Sequence, residues 1–125
     1  MMKHFLLTLL LLWMLVLPVQ AASDRPAGVP DEAKWARVDS VVDGDTVYTK
    51  DGTKIRLHGI DTPERDQPYG KQATRALDGL IETKVYVLEK DPDRYGRLVG
   101  VLYTPEGLNV NLAMVCGGHA WRKHC

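Results

Sequence analysis

Arg56, Asp61 and Glu64 fall within one ten-residue stretch, Ile55-Arg-Leu-His-Gly-Ile-Asp-Thr-Pro-Glu64, that closes an apolar, strand-like run. A guanidinium and two carboxylates against one turn are what attack on a phosphodiester needs. They supply oxygen ligands for a hard divalent cation, a base for water and a fork for phosphate oxygens. Pro63 fixes its own φ and biases Thr62 toward an extended backbone, which stiffens the link between the carboxylates. In this arrangement Asp61 could ligate a cation, Thr62 could offer its backbone carbonyl, Glu64 could face a water and Arg56 could grip phosphate. The plain alternative is a solvated Arg-Glu pair at a strand end. His58 shares the face of Arg56 by strand alternation and is assigned no role.

Two further segments are compatible in type. Asp43-Gly-Asp45-Thr46 places carboxylates at a tight turn that Gly44 permits, although such turns are also common in ordinary hairpins. Asp93-Arg-Tyr-Gly-Arg97 gathers Arg94, Tyr95 and Arg97 on a turn, offering charge for phosphate and a ring or hydroxyl for a nucleotide. The alternative there is a turn with solvated arginines. Arg65, Lys71 and Arg75 either extend a positive rim or are ordinary solvent-facing charges.

The elements that must position these groups are legible in the pattern. Residues 36–42 and 46–49 are β-prone around the Asp43-Gly44-Asp45 turn, and Asp51-Gly52 predicts a hairpin into a strand over 53–60. The period then changes. Ala73, Ala76, Leu77, Leu80 and Ile81 predict an amphipathic helix over about 70–82, slightly weakened by Gly79. Strands are expected over 84–88 and 97–103, flanking a polar loop at 89–96. Asn109 should cap a short helix over 110–116 that ends at Gly117-Gly118. Five short strands interleaved with helices in so short a chain predict a small, strongly bent barrel rather than a doubly wound sheet.

The N-terminus predicts export. Lys3 and His4 precede an apolar run over 5–17, and Pro18-Val-Gln-Ala21-Ala22 offers small residues for cleavage. A signal peptide is therefore expected over 1–21, with an uncleaved anchor as the alternative. A flexible leader over 22–35, rich in proline and charge, and one domain over 36–125 should follow. The expected location is secreted or periplasmic, without stable membrane association after cleavage. The 125-residue chain holds 16 basic and 16 acidic residues, and the expected signal peptide carries only Lys3 among them, so the remainder stays near neutral. A protein that coats nucleic acid by charge alone is usually strongly basic, so nucleic-acid contact here should be local and should turn over. Cys116 and Cys125 either pair in an oxidising compartment or remain as thiols, and neither has partners at zinc-finger spacing.

Taken in order, Asp43-Gly-Asp-Thr46, Ile55 to Glu64, Asp93-Arg-Tyr-Gly-Arg97, Val110-Asn111 and Gly118-His-Ala-Trp121 resemble the staphylococcal nuclease (thermonuclease) family, from about Val38 to Trp121. The resemblance implies an α+β fold, an OB-type five-stranded β-barrel with two helices. It also implies an endonuclease dependent on one Ca2+ ion, with single- or double-stranded DNA and RNA as substrate, leaving 3′-phosphate ends. Carried over, Asp45 and Asp61 would ligate calcium with the carbonyl of Thr62, and Asp43 would stand one layer behind them. Glu64 would orient or deprotonate water, Arg56 and Arg97 would brace the phosphate, and Arg94 and Tyr95 would lie beside nucleotide phosphates. A monomer is expected.

Two departures stand against that pattern. The loop over 65–70 is shorter than in the founding member. The sequence given ends at Cys125, so the usual C-terminal third helix is expected to be absent, and a Cys116 to Cys125 disulfide could partly compensate, an effect typically of about 2 to 4 kcal/mol. The competing functions are a non-catalytic OB-type module that binds nucleic acid or protein, and a truncated remnant.

Overall fold

The structure is a computed structural model and describes residues 25–122. The expected signal peptide over 1–21 and Cys125 lie outside the described residues. Among the described residues, seven strands and two helices follow in the order β1 (Lys34–Asp43), β2 (Thr46–Thr49), β3 (Lys54–Leu57), β4 (Ile60–Asp61), α1 (Gly70–Leu80), β5 (Lys84–Lys90), β6 (Leu98–Tyr103), α2 (Val110–Cys116) and β7 (Trp121–Arg122). Five of the strands close into a barrel in the order β1-β2-β3-β6-β5, the α+β, OB-type architecture expected.

Closure depends on β1. Its first half pairs with β5 and its second half with β2, and register shifts at 38–40 and 41–43 bend it between the two. Every barrel pairing is antiparallel except β3 with β6, which run parallel. Alternation along β3 turns Ile55 and Leu57 inward, where they meet Val47, Val85, Leu102, Leu77 of α1 and Met114 of α2, all almost fully buried. Arg56, between them, is left on the outer face.

Asn111 locks the parallel seam. Its amide donates to the carbonyls of His58 (3.0 Å) and Gly100 (3.2 Å), and its oxygen accepts from the Leu102 N–H (3.1 Å). The buried side chain thus bonds backbone groups at the end of β3 and along β6, adding a second donor to the Gly100 carbonyl, which already accepts the His58 N–H at 2.8 Å.

Three differences from the sequence expectation have physical causes. The strand expected over 53–60 splits because Gly59 takes a left-handed φ of 74°, and the detached β4 pairs with β7 instead. The helix expected to reach residue 82 ends at Leu80, with Ile81 already extended and its N–H donating to the Leu77 carbonyl. The expected flexible leader over 22–35 carries structure in its second half. Val29 and Ala33 are buried with Tyr86, Val101 and Tyr103, Lys34 and Trp35 open β1, and Trp35 packs on Tyr86 with ring centroids 3.8 Å apart. Arg25 fastens the stretch by donating to the carbonyls of Pro30 (2.6 Å) and Ala33 (2.7 Å).

Candidate active site

The turn between β1 and β2 is built to approach its neighbours closely. A Cβ on Gly44 would lie 2.8 Å from both the Ala73 Cβ of α1 and the Thr62 Oγ1, so only glycine fits without displacing them. That approach delivers Asp45 inward. Its Oδ1 accepts from the Thr46 hydroxyl (2.8 Å), its Oδ2 from the Thr62 N–H (3.1 Å), and its backbone carbonyl from the Leu57 N–H (2.7 Å).

Arg56 joins the turn to the segment after β3. Its Nη2 lies 3.3 Å from the Asp45 Oδ2 and 3.1 Å from the Asp61 Oδ1, while Nη1 donates to the Leu57 carbonyl at 3.1 Å. The Arg56 side chain retains 13% of its exposure and that of Asp45 8%, so their pairing is shielded from water, whereas Asp61 is 40% exposed. Two carboxylates from different segments are therefore gathered around one cation. Together with Asp43, Thr62, Glu64, Lys54 and Arg97 they line a single cleft of about 310 Å3.

Glu64 is exposed, and its carboxylate has no partner among the described residues. Its backbone, by contrast, is fixed. The Glu64 N–H donates to the Gln67 Oε1 (2.8 Å), and the Gln67 N–H returns a bond to the Glu64 carbonyl (2.9 Å). A Cβ on Gly70 would overlap that carbonyl at 1.7 Å, so the loop closes only with glycine at the start of α1.

Electrostatics separate the two carboxyls of the turn. Burial, the hydrogen bond that its protonated carboxyl donates to the Asp45 carboxylate, and the Asp45 charge push Asp43 up to about 6. Burial acts against Asp45 as well, but its bond with Asp43, the Arg56 charge, the Thr46 hydroxyl and the Thr62 N–H outweigh it and hold Asp45 below the usual carboxylate range. Below about pH 6 the proton of the pair therefore resides on Asp43, while Asp45 is the anion.

Arg97 reaches the same cleft from a different setting. Its Nε donates to the Asp93 Oδ2 at 2.6 Å, and the Asp93 Oδ1 accepts from the N–H groups of Tyr95 (2.9 Å) and Arg97 (3.0 Å). Desolvation opposes ionisation of Asp93, yet these bonds and the Arg97 charge pull it below its ordinary value. Arg94 and Tyr95 do not line the cleft. The Tyr95 ring lies under Arg94 and Arg97, with their guanidinium carbons 5.2 Å and 5.3 Å from its centroid, and it is 70% exposed. Cys116 is exposed on α2, and Cys125, with which it either pairs or not in the sequence reading, is outside the described residues.

Residues 54–125 match the family model described as staphylococcal nuclease homologue. This chain belongs to that family. It is 46% identical over 89 residues to an uncharacterized endonuclease of Escherichia coli O157:H7, a match covering 68% of this chain and 58% of that protein. It is 38% identical over 124 residues to an uncharacterized endonuclease of Haemophilus influenzae, covering 95% and 64% respectively. A micrococcal nuclease of Shigella flexneri is 38% identical over 93 residues, 65% of this chain and 53% of that protein. The chain thus spans roughly half to two thirds of the length of these curated relatives.

The staphylococcal nuclease homologues are generally metal-dependent, and the donors here suit one hard ion. Among the described residues no three His, Cys, Asp or Glu side chains form a ready-made cage. Asp45 and Asp61 nonetheless present carboxylate oxygens to the Arg56 guanidinium, and the buried Thr62 hydroxyl beside them has no hydrogen-bond partner among the described residues. Two carboxylates, a carbonyl and several waters are a normal oxygen set for a divalent cation.

Two contributors escaped the sequence reading. Lys54 lines the cleft from two positions before Arg56, a placement that strand alternation alone would have suggested. Asn111 appeared only as part of a motif. A polar residue beside the apolar Val110 at the start of a short helix was the available signal for its buried role.

Proposed function

We propose that this chain is an exported, Ca2+-dependent endonuclease that hydrolyses phosphodiester bonds of DNA and RNA as a monomer and leaves 3′-phosphate ends. One observation carries the reading: a mostly buried Arg56, fixed by Asp45 and Asp61, shares a cleft with Arg97 and with the Glu64 carboxylate, which has no partner among the described residues. The nuclease names of relatives in three bacteria support it. Export rests on the charged and apolar pattern of residues 3–22.

Asp45, Asp61 and the Thr62 carbonyl would hold the calcium ion, which when bound supplies positive charge against a phosphoryl oxygen. Glu64 accepts a proton from a water or orients it toward phosphorus, and its exposure leaves that carboxylate open to solvent and substrate. The water oxygen bonds to phosphorus, the bond to O5′ breaks, and the departing oxygen takes up a proton from the surroundings. Negative charge grows on the equatorial oxygens during attack, so Arg56 and Arg97 stabilise the transition state more than the ground state. Asp43 accepts the Asp45 N–H at 3.2 Å and so helps to fix the turn that carries Asp45.

The test is degradation of single-stranded DNA by the purified chain in Ca2+, in chelator, and by Glu64→Gln in Ca2+. Activity confined to the first condition, with 3′-phosphate on the products, is expected. Degradation indifferent to chelator and to the substitution overturns the mechanism. Tight oligonucleotide binding without hydrolysis in any condition would instead identify a binding module.

A further inference from the structure

We infer that the open end of the barrel is a binding site for a small organic amine, one positive charge joined to an apolar body. The site is separate from the nuclease cleft and does not depend on the nuclease reading. Its origin is a lumen filled unevenly. In the packed part the inward positions carry Val47, Leu57, Val85 and Leu102, and Leu77 of α1 and Met114 of α2 complete a cluster with almost no exposed surface. At the other end the inward positions of β1, β2 and the start of β3 hold only Ala36, Thr49 and Thr53, side chains too short to fill the space between the strands. A cavity of about 490 Å3 results. That is the size of a site for a small molecule, and barrel mouths are a frequent place for one.

The floor is apolar. Ile55 and Val87 are buried beneath it, and Leu98, the partner of Ile55 across the parallel seam, completes it. The rim is acidic. Glu89 follows Val87 by two residues on the same face of β5, and Glu32 and Asp51 stand at the same mouth. Lys34, opposite Val87, is the one cation among the described residues that line it. The Asp51 Oδ1 accepts from the Thr49 hydroxyl and from the Thr53 N–H (3.0 Å), which fixes that carboxylate and leaves its second oxygen open. The carboxylates of Glu32 and Glu89 have no partner among the described residues.

These two features select the ligand. Three carboxylates against one ammonium repel nucleic acid, so the substrate proposed for the cleft is excluded from this end. The apolar floor offers nothing to a bare inorganic cation. A ligand that buries hydrocarbon on Ile55, Val87 and Leu98 and sets an ammonium against the rim carboxylates uses both. Lys34 opposes a second positive charge on the same molecule.

The test titrates phenethylamine into the isotope-labelled chain and follows the backbone amides by NMR. Saturable shifts are expected at residues 34–36, 49–55, 87–89 and 98, with residues 43–46 and 61–64 of the cleft unmoved. The Kd should be on the order of millimolar, the scale set by so few non-hydrogen atoms. Phenethyl alcohol, with the same ring and no charge, should bind roughly 3- to 10-fold more weakly, as expected for ion pairs at a wet rim. Methylamine, with the charge and no ring, should give no saturable shift. Glu89→Gln should weaken the amine roughly 2- to 5-fold and leave the alcohol unchanged. Thr53→Leu, which fills the mouth, should abolish binding of both ring compounds with a wild-type circular dichroism spectrum.

No saturable shift with phenethylamine, equal affinity for amine and alcohol, or shifts gathered at the cleft residues overturns the inference. So does amine binding retained in a folded Thr53→Leu. Glu89→Gln, on the exposed rim, decides by itself where Thr53→Leu does not fold, and unchanged amine affinity in it is likewise fatal. A chain that cuts DNA in Ca2+ and ignores the amine defeats this inference alone, and one that binds the amine without cutting DNA defeats only the nuclease reading.

Discussion

Arg56 and Arg97 meet in one cleft yet are held in opposite ways. Arg56 sits in a barrel strand with 13% of its side chain exposed, clasped by two carboxylates from two other segments. Arg97 sits at the end of an exposed loop with 43% of its side chain exposed, clasped by an aspartate four residues earlier in the same turn. The first clasp is part of the fold. The second is local and close to water, where an ion pair contributes little to stability. Two groups proposed for the same chemical task should therefore separate when stability and turnover are measured side by side.

Arg56→Ala should have the largest effect, because it strips the cleft of phosphate charge and leaves Asp45 buried without its cation. Turnover should fall about 10³-fold, and urea denaturation should show a loss of about 3 kcal/mol. Glu64→Gln should lower turnover by a comparable factor, within about 10² to 10⁴, with an unchanged urea midpoint, since that carboxylate has no partner among the described residues. Arg97→Ala should reduce kcat about 10²-fold and alter stability by less than about 0.5 kcal/mol. A destabilisation equal to that of Arg56→Ala would erase the contrast between the two arginines.

The smallest effect concerns Asp43. Its carboxyl is raised in the folded state, so the folded chain keeps a proton that the unfolded chain releases above 3.8. The resulting stability is full below 3.8 and declines as pH rises through about 6. Asp45, lowered when folded, contributes in the opposite sense and loses its share only as pH falls below its ordinary value. Without metal, raising the pH from 5 to 7 should therefore cost about 1 kcal/mol, discounted for water around a half-buried group. Asp43→Asn should flatten that slope in chemical denaturation at each pH.

The composition of the site was largely readable from the chain, because Asp43, Asp45, Arg56, Asp61, Glu64 and Arg97 cluster by type within short motifs. The register that sets Arg56 opposite Thr46 follows from the Asp51-Gly52 hairpin, which was also readable. What brings Arg97 to the same cleft was not. That depends on the parallel β3–β6 seam, and parallel pairing leaves no turn in the sequence to announce it. β7 is two residues long, too short for any period to show. Residues 25–33 look like a linker because proline, glycine and charge dominate them, yet Val29 and Ala33 suffice to dock the stretch over Tyr86.

Asn111 gives the domain an order of assembly. Every residue proposed for the chemistry lies before it, so a ribosome completes the whole reactive set, Asp43 to Arg97, while the amide that clamps His58, Gly100 and Leu102 is still to be made. A growing chain thus holds its reagents but not the fastening that sets them in place. Fragments ending before α2 should be unfolded by circular dichroism and inactive on DNA. Until α2 emerges, the groups proposed for the chemistry lack the amide that joins the end of β3 to β6.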